Sequence, residues 1–411
     1  MNMKLSLAEF MQNSEKLKIL ISRALLEGQN KALYGKCYEK ESLIQLLSTE
    51  KLFKGVLLQE IAYISDAIIT IDGLKISLKN KKPEIIENAL GIDVEIGIFD
   101  ISKYAIRNLG LILSEKAANK KALLVGFGSV GSRIAEALVK HGVITNICDF
   151  DSFEIHNGYR WGIITQPELS VGRSKVLLAK EIFENTIPNA KVTAYHKDFS
   201  KEFGFFEELV KKEKFELIIV STDTLNSHRD AMILAYRNKI PILYCLLGDK
   251  AETGMIAYYS PDMDCCHLCF SAFEGAEEIN QNLRSDNRQY GIDSENEQHG
   301  VPALSVDISI ISSIASKIAL AIISGEDASE YFTVFGAQGN IIFFSTKPEA
   351  WILESAFQKI CVSVRNNKEC VLCGKPVLKK EKHIRMQKRI NEIRAKDDDP
   401  FLKKIKEMSK V

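Results

Sequence analysis

The sequence lacks an excess of charge of either sign, because 54 lysine and arginine residues balance 54 aspartate and glutamate residues over 411 positions. Net charge therefore points to no class of partner. The basic residues are nonetheless unevenly placed, since residues 375–411 carry 13 of them against 6 acidic ones. We expect a solvated basic helical tail at 376–411. The alternative is a surface that touches RNA or an acidic partner.

The sequence also lacks a long apolar run free of charge. Its longest apolar stretch, residues 301–325, contains Asp307 and Lys317, and a charge at the centre of a bilayer costs about 2.5–3.5 kcal/mol on insertion scales. The first twenty residues lack the apolar core and small-residue cleavage site of a secretory signal. These absences predict a buried or half-buried helix, a cytoplasmic protein and no membrane contact.

A disulfide framework, typical of secreted chains, is not expected for the nine cysteines. Four of them form two C-x-x-C pairs: Cys266, Cys269, Cys370 and Cys373. Two such pairs can supply four thiolates to one tetrahedral Zn²⁺, and a site closed in this way is structural rather than catalytic. Either pair alone could be chance or a redox dithiol. Cys265 and His267 are additional candidate ligands.

Short apolar runs alternate with helical patterns from Lys120 onward, and the runs cover 122–125, 143–149, 191–196, 216–222 and 240–247. Strands separated by helices of this length predict a parallel, doubly wound α/β sheet with helices on both faces. Extended runs near 252–260 and 340–346 add to it and make a mixed, Rossmann-like sheet. The polar segment 274–300 is a candidate lid or crossing segment.

Residues 1–100 have a different pattern. An amphipathic helix is predicted over 9–26 and two short helices within 40–62, followed by a hairpin around Asp72–Gly73, where Asp-Gly is a strong turn signal. This combination predicts a small α+β, winged-helix-like recognition domain at 1–100 before a larger α/β domain at 101–375.

A glycine-rich turn follows the first predicted strand of the second domain. Gly126, Gly128 and Gly131 form G-x-G-x-x-G between that strand and a helix, a context that brings backbone close to a phosphate at a helix N-terminus. Asp149 ends the next strand, where an acidic side chain can hold ribose hydroxyls. The pattern predicts a nucleotide site, with a structural turn as the alternative.

Further polar residues fall at the same carboxyl edge of the predicted sheet: Asp151, Asn157, Arg160, Lys175 and Asp223. A dinucleotide needs no converging arginine and lysine, because helix N–H groups already meet its pyrophosphate. A triphosphate carries more charge and is usually accompanied by Mg²⁺, for which Asp223 is a reasonable ligand. Taken singly, these residues could be surface charges or a helix cap. As an ordered set they favour ATP over NAD, and the dehydrogenase remains the rival hypothesis.

The ordered motifs GFGSVG, DFDSFEIHNGYR, GRSK and STD resemble the signature of the ubiquitin-activating enzyme superfamily, in particular its ThiF-like bacterial adenylyltransferases. The resemblance covers about residues 100–375. It implies that Asp149 binds the ATP ribose and that Asp223 binds Mg²⁺. It further implies phosphate contacts from Asn157, Arg160 and Lys175.

Three more expectations come from the same resemblance. Arg107 would reach into the site of a partner copy in a homodimer, and the four paired cysteines would hold a structural zinc. The implied reaction is the activation of a C-terminal carboxylate by ATP as an acyl-adenylate.

The segment 274–300 contains no cysteine, so we expect no enzyme-bound thioester. The remaining cysteines, Cys37, Cys148, Cys245 and Cys361, are expected to be buried apolar residues. The N-terminal domain favours a peptide or small protein tail as substrate, as in ribosomal-peptide modification. Sulfur-carrier or ubiquitin-like protein activation, a non-catalytic scaffold and the activation of a tRNA base remain alternatives.

Overall fold

The computed structural model describes residues 16–26, 32–38, 41, 43–47, 59–65, 67–71, 73–108, 110–163, 166–271, 303–334, 337–350, 353–364, 366–368 and 370–374. The chain divides into two compact units, Met1–Leu109 and Gly110–Val411. The predicted segments 274–300 and 376–411 lie outside the described residues, and so does the side chain of Cys37. The domain boundaries given above remain predictions.

The N-terminal unit contains an eight-stranded sheet, in the order β7-β6-β5-β4-β2-β3-β1-β8. Its strands are β1 (Lys16–Ser22), β2 (Ala32–Tyr38), β3 (Leu43–Leu47), β4 (Gln59–Ser65), β5 (Ile68–Ile71), β6 (Leu74–Ser77), β7 (Glu84–Asn88) and β8 (Asp93–Phe99). β1 runs parallel to both β3 and β8, and the other pairs are antiparallel.

The helices predicted in this unit are wrong over most of the described residues, which form strands, although Arg23–Leu26 do form a short 3₁₀ helix. Leu17, Ile19 and Ile21 are fully buried while their neighbours in β1 alternate toward solvent. This is the period of two of a strand, whereas the spacing of the apolar residues over 9–26 predicts the period of a helix. Residues 40–62 likewise supply β3 and the start of β4. The winged-helix-like prediction depended on these helices, and most of the described residues in question form strands instead.

The hairpin prediction is confirmed. β5 and β6 pair antiparallel, with Ile71 opposite Leu74, at the position that the sequence predicts. Gly73 has a φ of +79°, a left-handed conformation that glycine adopts without steric cost. The apolar side chains of both strands join those of β1 and β3 in one core.

The second unit contains the mixed sheet that the sequence predicts, in the order β11-β10-β9-β12-β13-β14-β17-β18. Its strands are β9 (Lys121–Val125), β10 (Ile144–Cys148), β11 (Val192–Tyr195), β12 (Leu217–Val220), β13 (Ile242–Leu247), β14 (Thr253–Tyr259), β17 (Ile341–Ser345) and β18 (Lys359–Val362), while β15 (Thr333–Val334) and β16 (Ala337–Gln338) form a separate ribbon. The first five strands are parallel and the last three antiparallel.

Helices cover both faces of this sheet. They are α1 (Ile112–Ala117), α2 (Ser129–Lys140), α3 (Asn157–Arg160), α4 (Pro167–Ser170), α5 (Lys175–Thr186), α6 (Phe203–Lys212), α7 (Leu225–Asn238), α8 (His267–Ser271) and α9 (Ser305–Ser324). Leu124 packs in a core with α2, α5 and α9, whereas Leu123 packs in a second core with α6 and α7. Successive strand residues point to opposite faces, so the sheet separates the two cores.

The apolar stretch near residue 310 forms α9. By length and composition it could cross a membrane, yet 61% of its most apolar window is buried inside the protein. Ile308, Ile311, Ile318 and Ile323 belong to the core shared with α2. The prediction of a buried or half-buried helix is confirmed.

The chain order of the strands locates the ligand edge. From β9 the chain moves outward through β10 to β11 and then returns to β12 on the other side of β9. Open α/β sheets bind ligands in the crevice at such a reversal, outside the carboxyl ends of the strands. Gly126, Asp149 and the loop leading to Asp223 follow β9, β10 and β12, respectively, so all three lie at this edge.

Candidate nucleotide site and cysteine cluster

The glycine loop is built by close packing at two of its three glycines. A Cβ at position 131 would lie 2.2 Å from the carbonyl oxygen of Gly126, and a Cβ at position 126 would lie 2.7 Å from Thr222 Cγ2. Gly126 also has a φ of +91°. A Cβ on Gly128 would meet nothing within 4 Å. The loop is therefore tight against the sheet and open on its outer side, where a ligand can approach the backbone.

The N-terminus of α2 lies at this open side. Gly128 is its N-cap residue, and within the described part of the chain no side chain caps the helix there. The first N–H groups of a helix and its dipole make such an end a favourable place for an anion. The sequence and geometry fit a nucleotide phosphate.

Asp149 ties the strand end after β10 to the glycine loop. Its carboxylate accepts hydrogen bonds from the backbone N–H of Phe127 at 2.6 Å and from that of Asp151 at 2.8 Å. Burial raises the pKa of Asp149, opposed by the two N–H donors and the positive charge of Lys175. The carboxylate thus fixes the loop whose outer side a nucleotide would face.

Lys175 begins α5, as predicted, and its side chain is only 11% exposed. Its Nζ lies 2.9 Å from Asp151 Oδ2, and its backbone N–H donates to the carbonyl of Asp151. Because the backbone N–H of Asp151 also donates to the carboxylate of Asp149, the structure brings all three predicted residues together. Asp151, 48% exposed on its side chain, is placed here as a partner of the lysine.

Asn157 and Arg160 form the two ends of α3. The Asn157 Oδ1 accepts from the backbone N–H of Glu154 at 3.0 Å. The half-buried Arg160 is followed by Trp161, whose ring packs edge-on against Phe127 at 5.8 Å between centroids. The indole N–H of Trp161 donates to the carbonyl of Phe127 at 3.4 Å. Trp161 therefore attaches the segment of Arg160 directly to the glycine loop.

The loop after β12 brings Asp223 to the same edge. Ser221 donates its hydroxyl hydrogen to the carbonyl of Gly126 at 2.9 Å, and Thr222 is the side chain that a Cβ on Gly126 would strike. Asp223 follows directly and is exposed. An exposed carboxylate beside the glycine loop fits the chemistry of a Mg²⁺ ligand, for which oxygen donors are preferred.

The two C-x-x-C pairs meet in one cluster, as predicted. The Sγ atoms of the four cysteines all lie within 4.8 Å of one another, with Cys266 3.6 Å from Cys370 and Cys269 3.2 Å from Cys373. Thiolates on a tetrahedron with Zn–S bonds of 2.3 Å are separated by about 3.8 Å. The cluster joins α8 to the segment after β18 and could bind zinc.

The other described cysteines lie outside this cluster. Burial raises the pKa of Cys245 in β13 to about 12 and raises that of Cys148 in β10, so both are apolar core residues, as expected. Cys265 and Cys361 are only half-buried. Cys265 faces the amide of Asn340 at 3.9 Å, and the buried His267 stacks on Tyr244; neither belongs to the four-cysteine cluster.

Arg107 is exposed in the short 3₁₀ helix Ile101–Asn108 of the N-terminal unit, and its role stays a prediction. Sequence reasoning missed the contacts of Arg133 and Trp161, although Arg133 lies two residues after GFGSVG and Trp161 directly follows DFDSFEIHNGYR. Arg133 is the fifth residue of α2. Nothing in local spacing reveals that its guanidinium reaches two other segments, α3 and α9.

Comparison with known proteins decides the family. The sequence pattern of the ThiF family matches residues 102–350, more than half of the chain. The chain belongs to the ThiF family. This ThiF-family chain is also similar to ubiquitin-like modifier-activating enzyme 5 of Caenorhabditis elegans, with 26% identity over 175 residues that cover 40% of this chain and 41% of the relative. The same enzyme of Bombyx mori is 25% identical over 174 residues, which cover 40% of this chain and 44% of the relative.

The chain thus spans less than half the length of these relatives. Among solved structures, E. coli MccB in complex with MccA is 15% identical, with a TM-score of 0.48 over 67% of this chain and 75% of that one. PaaA is 18% identical, with a TM-score of 0.44 over 64% of this chain and 71% of that one.

Proposed function

We propose that this ThiF-family protein is an ATP-dependent adenylyltransferase that activates the C-terminal carboxylate of a peptide or small protein. The observation that carries the proposal is the convergence of Lys175 and the Arg160 segment on an open glycine loop that Asp149 fixes. Family membership supports an enzyme that acts on ATP. The converging cations favour a triphosphate over the dinucleotide of a dehydrogenase.

The proposed reaction requires stabilisation of the negative charge on the leaving pyrophosphate more than it requires proton transfer. A carboxylate oxygen of the substrate attacks the α-phosphorus of ATP, the bond from that phosphorus to the bridging oxygen breaks, and pyrophosphate leaves with both bonding electrons. A C-terminal carboxyl has a pKa of about 3.3–3.7 and is already ionised at neutral pH. No general base is needed, and a site of fixed cations and helix N–H groups suits the step.

Each residue of the site has a proposed part in that step. Asp149 orients the ribose end through the loop that it fixes, while Asn157, Arg160 and Lys175 hold the phosphates and the departing charge. Asp223 would hold Mg²⁺, which supplies further positive charge to the phosphates when bound. Zinc in the four-cysteine cluster would have a structural role and would stabilise the fold, because four thiolates leave no coordination position open for a substrate.

The substrate class and the assembly rest on fewer observations. We propose a peptide or small protein tail, since relatives are named for activating a ubiquitin-like modifier. We also propose a homodimer in which Arg107 serves a partner copy, and no thioester on the enzyme. Cys148 and Cys245, the strand cysteines, are buried in the core, which supports the last point.

Exchange of radiolabelled pyrophosphate into ATP tests the proposed chemistry. A mixture of peptides with free C-terminal carboxylates should support exchange, and the same mixture amidated at its C-termini should not, because the attacking oxygen is missing. Lys175→Ala should lower the exchange rate about 100-fold, on the order of the effect of one preorganised charge at a reacting centre. Lys180→Ala, on the same helix, is the matched control and should leave the rate unchanged.

Two results would contradict the proposal. Exchange that is equally fast with amidated peptides would exclude attack by the terminal carboxylate. Full exchange by Lys175→Ala would remove the lysine from the phosphate site.

A further inference from the structure

The guanidinium of Arg133 is shared between two segments at the edge of the nucleotide site. Its Nη1 donates to the backbone carbonyl of Arg160 at 2.9 Å. Its Nε donates to Ser309 Oγ at 2.9 Å, and its Nη2 donates to Ser305 Oγ at 2.6 Å and to the Ser305 carbonyl at 3.3 Å. One half-buried side chain thus joins the last residue of α3 to the first turn of α9.

The residues after Arg160 rest on the same part of α2. The backbone N–H of Gly162 donates to Ser132 Oγ at 2.8 Å. A Cβ at position 162 would lie 2.5 Å from Arg133 Cγ, so only glycine allows this approach. Trp161 packs on Phe127 of the glycine loop. Three consecutive residues are therefore held in place: Arg160 by its carbonyl, Trp161 by its ring and Gly162 by its N–H.

We propose that Arg133 is a positioning residue that orients Arg160 toward the triphosphate. The inference rests on the proposed function, in which Arg160 contacts phosphate. α3 has only four residues, and a helix of one turn has little stability of its own in water. Its orientation must come from tertiary contacts. The planar fork of an arginine can hold two segments in fixed geometry, which a lysine ammonium cannot do.

Arg133 therefore acts through the backbone of Arg160 and touches no phosphate itself. Its removal should weaken the binding of ATP, whose triphosphate Arg160 would contact, more than the binding of adenosine, which lacks phosphate. A residue with a merely structural role would weaken both ligands alike, or would lower thermal stability without discriminating between them.

The test uses Trp161 fluorescence in a full-length Trp351→Phe background, in which it is the only tryptophan left. We expect Arg133→Met to raise the dissociation constant of Mg·ATP about tenfold or more, because Arg160 would no longer be held toward the triphosphate; a tenfold change corresponds to about 1.4 kcal/mol. The constant for adenosine should change less than twofold, and Arg133→Lys should resemble Arg133→Met. Lys140→Ala, which removes an ion pair with Glu136 farther along α2, is the matched control and should bind ATP like the parent.

A double-mutant cycle decides whether Arg133 works through Arg160. Arg160→Ala should by itself cause at least the same loss of ATP affinity, and adding Arg133→Met to it should cause no further loss. Multiplicative losses in the double variant, or equal losses for ATP and adenosine, would overturn the inference. A parent that binds no ATP would instead refute the proposed function, so the two failures are distinguishable.

Discussion

Gly131→Ala is expected to abolish measurable ATP binding and to lower the free energy of unfolding by about 1–3 kcal/mol, the usual cost of overpacking a tight site. The added Cβ would lie 2.2 Å from the carbonyl oxygen of Gly126 and 2.7 Å from Ser221 Oγ. The nearest obstacle is backbone, so the glycine loop itself must shift away from α2. That shift would move the N–H groups that face the ligand.

Calorimetry with Mg·ATP and thermal unfolding check this prediction. Gly204→Ala is the matched control, because a Cβ there meets nothing within 4 Å and alanine is about 1 kcal/mol better than glycine within a helix. That variant should be slightly more stable and bind ATP normally. A Gly131→Ala protein with the stability and the ATP affinity of the parent would show that the loop has room that the structure does not indicate.

Cys370→Ser is expected to reduce bound zinc from one ion per chain to nearly none and to destabilise the second unit by several kcal/mol. Binding of structural zinc contributes about 10–16 kcal/mol of apparent free energy in small zinc-finger peptides, and much of it is folding free energy. In this protein the cluster holds α8 to the residues that follow β18, about a hundred positions later in the chain. Loss of one thiolate would weaken zinc binding and with it the link between these two segments.

Elemental analysis after dialysis and unfolding in the presence of a chelator measure both effects. Cys265→Ser is the matched control, since Cys265 adjoins Cys266 in sequence but lies outside the four-thiol cluster. It should keep its zinc. If Cys370→Ser retained zinc, or if Cys265→Ser lost it, the zinc ligands would not be the four cysteines that the geometry indicates.

The sequence predicted the second unit well because its strong signals are local. Apolar strands and helices alternate, Gly-rich and acidic residues end consecutive strands, and paired cysteines keep a metal-ligand spacing. The rule that ligands bind at the carboxyl edge of such a sheet is enough to place Asp149, Lys175 and Asp223 at one edge. The sequence could not place Arg133 against Arg160, because that contact joins separate elements through one long side chain.

The N-terminal unit was predicted less well for a physical reason. In residues 16–22 the apolar side chains fall at positions that suit one face of a helix over a longer window, yet Leu17, Ile19 and Ile21 fill a sheet core. Short apolar runs are ambiguous between the two periods until their partners are known, and here β1 pairs with β8, over seventy residues later. The β5–β6 hairpin was predictable because its Asp-Gly sequence signal depends on two adjacent residues.

The central claim is that the glycine loop binds ATP, and thermal unfolding with Mg·ATP or NAD tests it most directly. A ligand at 100 times its dissociation constant adds about 2.7 kcal/mol to stability. The account predicts stabilisation of this size by Mg·ATP, a smaller shift in Asp223→Asn and no shift with NAD. Stabilisation by NAD but not by Mg·ATP would contradict the account and restore the dehydrogenase hypothesis. No shift with either nucleotide would favour a scaffold that has lost catalysis.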